Sequence, residues 1–283
     1  MSDAPETEAT RLSARTLGDT GPRVVFLHGL FGQGRNWTTT AKGLAEDGRR
    51  VTLLDLPDHG QSPWSERIDY LAMAELVAAE LAASAEPVTL VGHSMGGKVA
   101  MQLALRRPEL LRALVVVDIA PVDYPESGAR TDDPDEEASP FEGFIAAMRA
   151  IDLAALAGRH EADEALRPAV RSPMVRAFLL QSLVRDREGS GWRWLLNLDL
   201  LARDHGELRR FPDPPPGAVF EGPVLWLAGA DSTYVLDRDR DRMSELFPAT
   251  RLVRVKKAGH WVHSEQPEVF LQTVRAFLRA VEE

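Results

Sequence analysis

Gly92-His93-Ser94-Met95-Gly96 sets a serine between two glycines at the G-x-S-x-G spacing, directly after the apolar run Val88-Thr89-Leu90-Val91. A strand, a sharp turn and a helix at this spacing stand the serine on a strained elbow with its oxygen exposed. The helix N-terminus then lies behind Ser94, and the Met95 N–H points where an oxyanion would form. The plain alternative is a helix N-cap serine with ordinary packing glycines. A hydroxyl becomes a nucleophile only beside a base, and acyl transfer also needs a second oxyanion donor. His28-Gly29-Leu30-Phe31-Gly32 follows an earlier apolar run and can supply that donor, with the Leu30 N–H first in line and Phe31 next. Seven histidines compete for the base. His28 and His93 flank glycines at strand ends, His59 belongs to a turn, His160 and His205 fall in a helical region, and His263 opens a helix. His260, in Ala258-Gly259-His260-Trp261 after the last apolar run, is the expected base.

The elements that must hold these groups alternate. Short apolar runs end at His28-Gly29, Asp55, Gly92, Asp118 and Gly229, and Thr250 to Lys257 is the last such run. Apolar on both faces, they suit strands of a parallel sheet covered on each side. Helical patterns lie between them, at about Trp37 to Asp47, Asp69 to Ala85, Met95 to Arg106, Asp239 to Phe247 and Glu265 to Val281. Asp69 is the expected cap of the second. The whole reads as an α/β, doubly wound, mostly parallel sheet. From Val122 to Pro216 no strand pattern shows, while Phe144, Ala147-Met148 and Ile151 keep helical spacing. Residues 122–216 are therefore expected to form a helical cap inserted into a core made of 1–121 and 217–283. The acidic stretch 132–137 and the Pro-rich return 212–217 mark its expected hinges. Trp192-Arg193-Trp194 suits cap core better than pocket.

His28-Gly29, Asp58-His59-Gly60-Gln61-Ser62, Gly92-His93-Ser94-Met95-Gly96-Gly97 and Gly259-His260-Trp261 resemble the α/β-hydrolase fold superfamily in order and spacing. More narrowly, the Leu30 loop with Asn36-Trp37, Gly96-Gly97-Lys98-Val99-Ala100-Met101 and Asp118-Ile119-Ala120-Pro121 resemble small bacterial esterases of the YbfF type. The resemblance implies a serine carboxylesterase or acyl thioesterase with a helical cap. Many proteins of this fold carry the triad acid three residues after the glycine that ends the post-cap strand. Here that position is Ser232, which cannot carry the charge, and Asp231 is one residue early. Asp118 ends the strand after the nucleophile helix, where a carboxylate needs a partner such as an imidazole that becomes positive. The YbfF-type resemblance also implies an acid there, so Asp118 is the expected acid and Asp231 its rival.

The expected chemistry is hydrolysis of an ester or thioester through an acyl-enzyme, with Phe31, His93 and Trp261 lining the substrate pocket. Other reactions of the same triad stay open: perhydrolysis, carbon–carbon cleavage or a lyase step, as does a slow-turnover small-ligand receptor. No cofactor or metal is expected, since no P-loop, dinucleotide fingerprint or H-E-x-x-H occurs. With 33 basic against 43 acidic residues the net charge is −10, which argues against a nucleic-acid partner. There is no cysteine, hence no thiolate nucleophile or disulfide. No apolar run is long enough for a membrane span, and the polar N-terminus lacks a signal peptide's apolar region, so the cytoplasm is the default location. Oligomeric state is not readable.

Overall fold

The computed structural model describes residues 11–82, 86–125, 140–186 and 191–283. Its strands are β1 (Ala14–Leu17), β2 (Arg23–Leu27), β3 (Arg50–Leu54), β4 (Val88–His93), β5 (Leu111–Val117), β6 (Leu183–Arg185), β7 (Trp192–Trp194), β8 (Val224–Gly229) and β9 (Thr250–Val255). The helices are α1 (Thr38–Glu46), α2 (Tyr70–Ala82), α3 (Met95–Arg106), α4 (Pro140–Arg149), α5 (Arg159–Leu166), α6 (Pro173–Leu179), α7 (Leu198–Arg203), α8 (His205–Arg209), α9 (Arg240–Leu246), α10 (Val262–Glu265) and α11 (Pro267–Glu282). Seven strands form one sheet in the order β1-β3-β2-β4-β5-β8-β9. All neighbours are parallel except β1, which runs antiparallel to β3.

Alternation along each strand divides the core into two layers. Val24 and Phe26 of β2 pack with Trp37, Leu44, Phe270 and Val274, whereas Val25 and Leu27 join Val77, Val99 and Leu103 on the other face. Helices thus cover both faces, which explains the uninterrupted apolar runs. The chain leaves β2 toward β3 and returns to place β4 on its other side. Ligands of such sheets bind outside the strands' carboxyl ends where the order switches. The Leu30 loop follows β2 and Ser94 follows β4, on the two sides of that switch.

Four elements differ from the sequence expectation. β1 is a short, largely exposed edge strand, and its solvent-facing residues carry no apolar pattern to read. β6 and β7 form a small antiparallel pair within 122–216, where only helices were expected. Trp194 is buried there, as the core reading of the Trp-Arg-Trp run anticipated. α11 begins at Pro267, because proline suits the first helical turn. Asp69 does cap α2, accepting the N–H groups of Leu71 and Ala72 at 2.9 and 3.1 Å.

The segment between β5 and β8 lies against loops at the sheet's carboxyl end. Gly60 N–H donates to Leu195 O at 2.8 Å, and Asn36 Nδ2 donates to Gln181 Oε1 at 2.6 Å. The expected hinge at 132–137 lies outside the described residues. The start of the Pro-rich return, the other expected hinge, is hydrogen-bonded to α3 in this structure. Gln102 and Arg106 of α3 donate to the carbonyls of Pro212 and Asp213, at 2.6 and 2.9 Å, and tie that part down. Among the described residues no helix is long and apolar enough to cross a membrane.

Candidate active site

Ser94 joins β4 to α3 at φ 52° and ψ −117°, a conformation that a residue with a side chain adopts only when its surroundings enforce it. The enforcement comes from close backbone packing. A Cβ on Gly92 would lie 2.3 Å from Gly96 O, and one on Gly96 would lie 2.5 Å from His28 O. Glycine at both positions lets strand, helix and the Leu30 loop converge around one hydroxyl.

His260 Nε2 lies 3.0 Å from Ser94 Oγ, and His260 Nδ1 lies 2.8 Å from Asp118 Oδ2. A protonated Nδ1 facing the carboxylate leaves the Nε2 lone pair to accept the serine proton. Asp118 is fully buried at the end of β5, with φ 49°. Its Oδ1 accepts the Gly229 N–H at 2.8 Å, and its Oδ2 also accepts the Ser232 hydroxyl. A buried carboxylate needs such donors to stay ionised. Asp231 is exposed, its N–H donates to Ala258 O, and its side chain is not among the groups around His260.

The imidazole is held from several sides. The Tyr234 ring stacks on it at 3.9 Å between centroids and 25° between planes. The Glu265 carboxylate accepts the N–H groups on either side of it, Gly259 at 2.8 Å and Trp261 at 3.1 Å. His93 Nε2–H donates to His260 O at 2.9 Å, so Nε2 carries a proton. Burial first, then the nearby His260 and His263, holds the His93 pKa well below the usual imidazole value. Sequence reasoning passed over Tyr234 and Glu265. Glu265 sits in the helical turn that follows the histidine loop, and that position was its only signal.

Leu30 and Met95 follow adjacent strands. Among the described residues neither N–H has an acceptor within the protein, and Met95, as the first residue of α3, has no intrahelical one. Phe31 N–H is committed, donating to His59 Nε2 at 3.3 Å. His28 and His59 act alike as neutral clamps. Each donates Nδ1–H to a carbonyl, of Gly29 or Pro57, and each accepts a backbone N–H on Nε2, from Leu56 or Phe31. Burial is the main cause that lowers both pKa values, that of His28 to about 3. The two rings splice the Leu30 loop to the 55–62 loop and fix where the Leu30 N–H sits.

Ser94 opens into a mainly apolar cavity, lined among others by Leu30, Met95, Ile119, Ile145 and Leu208. The expected pocket residues Phe31, His93 and Trp261 are not among the residues that line it. Phe31 is buried behind it with its ring against Phe141 at 5.9 Å. His93 and Trp261 line a separate, narrow crevice. His93 ends β4, and successive residues of a strand point to opposite sides, so it faces away from the side that Ser94 opens on. The cavity wall instead draws Phe141, Ile145 and Leu208 from between β5 and β8.

Fold and site together define a hydrolase of the α/β type, and comparison with known proteins agrees. The family model for the alpha/beta hydrolase fold matches residues 22–267, and the chain belongs to that family. It is 40% identical to the sn-1-specific diacylglycerol lipase ABHD11 of Mus musculus over 263 residues, covering 91% of this chain and 81% of that protein. It is 32% identical to esterase YbfF of Escherichia coli strain K12 over 256 residues, covering 90% of this chain and 92% of the other. A solved structure described as a marine microorganism esterase superposes with a TM-score of 0.86 at 32% identity, covering 95% of this chain and all of that one.

Proposed function

We propose that this protein hydrolyses carboxylic esters through an acyl-enzyme, with Ser94 as nucleophile, His260 as base and Asp118 as orienting acid. The observation that carries the reading is the continuous Ser94–His260–Asp118 hydrogen-bonded chain, at 3.0 and 2.8 Å, opening into an apolar cavity. Ser94 Oγ attacks the acyl carbonyl as His260 Nε2 takes its proton. The carbonyl electron pair moves onto oxygen, where the Leu30 and Met95 N–H groups receive it, a term worth about 3 kcal/mol per donor. Collapse expels the alcohol, which takes the proton back from His260. Water, deprotonated by the same imidazole, attacks the acyl-enzyme and releases the acid and free Ser94. Asp118 stays ionised and stabilises the imidazolium in both halves. The acyl chain occupies the apolar cavity, with residues 122–216 serving as the cap over it.

Relatives named as lipase and esterase support the substrate class. The test is turnover of nitrophenyl esters, with the matching acyl thioesters in parallel, by the wild type and by Ser94→Ala. Hydrolysis abolished in a folded Ser94→Ala protein is the expected result, together with fluorophosphonate labelling confined to Ser94. Retained turnover in that variant, or label on another residue, overturns the mechanism.

A further inference from the structure

Lys98, part of the Gly96-Gly97-Lys98 run, is left unused by the hydrolytic steps. It lies one turn after Ser94 on α3 and is 1% exposed. Its Nζ donates to three successive carbonyls at the end of α8 and just past it: Leu208 at 3.1 Å, Arg209 at 2.8 Å and Arg210 at 2.8 Å. The same nitrogen sits 5.4 Å from the ring centroid of Tyr70 and 4.8 Å from that of Tyr124. Tyr70 OH adds a further donor to Leu208 O at 2.9 Å. One turn on, Gln102 meets Pro212 O, and one more turn on Arg106 meets Asp213 O. Spacings of four residues put Lys98, Gln102 and Arg106 on one face of α3. The helix that carries the nucleophile is thus laced to residues 208–213, and only the first of the three rungs lines the cavity.

The last carbonyls of a helix have no intrahelical partner and carry the negative end of its dipole. Beside an apolar cavity they would draw in water. An ammonium has three N–H groups and can take three of these oxygens at once, while aromatic faces shield the rest of the cation. We propose that Lys98 is a specificity-determining residue: by fixing the end of α8 it holds Leu208 as a wall of the cavity beside Ser94, and keeps three carbonyls from wetting the space that takes an acyl chain. This rests on the reading of that cavity as the acyl site. Without the ammonium Leu208 O keeps only the Tyr70 hydroxyl, Arg209 O keeps only the Tyr124 N–H at 3.0 Å and Arg210 O loses its Lys98 bond; these oxygens then recruit water, the hold on Leu208 loosens, and a long alkyl chain gains less on entry. An acetyl group, which barely extends beyond Ser94, gains little from that wall in either protein.

The test compares full-length wild type, Lys98→Met and Gln102→Leu on nitrophenyl acetate and octanoate, alongside amide hydrogen exchange over 205–209. Lys98→Met is expected to lower the octanoate-to-acetate ratio of kcat/KM at least tenfold and to speed exchange in α8. Gln102→Leu removes a rung away from the cavity and is expected to leave the ratio at the wild-type value. Should Lys98→Met fail to fold, Lys98→Gln keeps two N–H donors and is expected to lower the ratio about threefold. A folded Lys98 variant with a wild-type ratio overturns the proposal, as does a Gln102→Leu ratio that falls as far as that of Lys98→Met. Absence of ester turnover in the wild type is a separate result: it overturns the ester reading and the selectivity role with it. Unchanged exchange in α8 of Lys98→Met overturns the anchoring itself, whatever the turnover.

Discussion

Asp118 accepts three hydrogen bonds on two oxygens, so a change there alters both a charge and a geometry. Asp118→Asn presents an amide to His260 and favours the tautomer with the wrong nitrogen protonated, and kcat is expected to fall by about 10⁴. Asp231→Asn, in an exposed side chain one residue before Ser232, is expected to change kcat less than about twofold. Steady-state kinetics on one activated ester compares them directly; a dead Asp231→Asn beside an active Asp118→Asn reverses the assignment. Ser232 has a subtler part. Its hydroxyl shares Asp118 Oδ2 with the imidazole and also accepts the Tyr234 N–H at 3.2 Å. Removing a hydrogen bond to a buried carboxylate costs about 1.5–3 kcal/mol. Ser232→Ala is therefore expected to lower kcat by roughly 10- to 100-fold with little change in KM, and wild-type kinetics would count against any link between this hydroxyl and the acid. The candidate triad was legible at this scale because a serine elbow, a histidine after the last strand and a buried strand-end aspartate each carry a local signature. The supports were not. Tyr234 and Lys98 act through contacts between segments apart in sequence, and Glu265 through short-range bonds to the Gly259 and Trp261 N–H groups that no motif marks.

At the scale of elements, the sheet was readable because its strands are buried on both faces and show as unbroken apolar runs. β1 escaped because an exposed edge strand has no apolar face, and β6 and β7 because three-residue strands are shorter than any period they might display. The glycines that shape the elbow were legible as types, but what they avoid becomes clear only with β4, α3 and the Leu30 loop in place. Gly96→Ala puts a methyl group 2.5 Å from His28 O, a backbone atom that cannot swing aside. The expected result is a loss of more than about 2 kcal/mol, measured by urea denaturation, together with displacement of the Leu30 loop. A Gly96→Ala protein of wild-type stability and activity would show that the elbow has room the geometry denies. The Pro-rich return from residues 122–216 was expected to be a hinge because it lies at one end of that segment. In the structure Gln102 and Arg106 of α3 hold its beginning, a contact between distant segments that the sequence does not show.

For the molecule as a whole, the set of neutral histidines behind the sheet's carboxyl end carries a consequence for acid stability. His28, His59, His93 and His263 all have lowered pKa values with burial as the leading cause, to about 3 for His28 and for His263. In the unfolded chain the same groups titrate near 6.5. Between about pH 6.5 and pH 3 the unfolded state therefore binds protons that the folded state refuses, and stability rises with pH across that window. The contribution is complete above about pH 7.5 and is lost progressively as pH falls below 6.5. Each refused proton steepens the slope by about 1.4 kcal/mol per pH unit. Most carboxylates titrate below pH 5, so the interval from 6.5 to 5 isolates the histidines. His28 and His59 enforce their neutrality through their bonds, since each uses one ring nitrogen to accept a backbone N–H that a charged imidazole would have to release. His263 is the clean probe, because its Nδ1 is buried without a partner while its ring packs on Trp37 at 4.2 Å. His263→Phe preserves that stacking and removes one refused proton. Urea denaturation at pH 8.0, 6.5 and 5.0 is expected to show a level stability from 8.0 to near 7 and a steep decline below it. In His263→Phe the decline between 6.5 and 5.0 is expected to be shallower by about one proton's slope. A stability that stays level from pH 8.0 to 5.0, or a His263→Phe slope equal to that of the wild type, would mean that these imidazoles accept protons in the folded state. The backbone clamps holding the Leu30 loop would then have to open in mild acid, and turnover would fall with them.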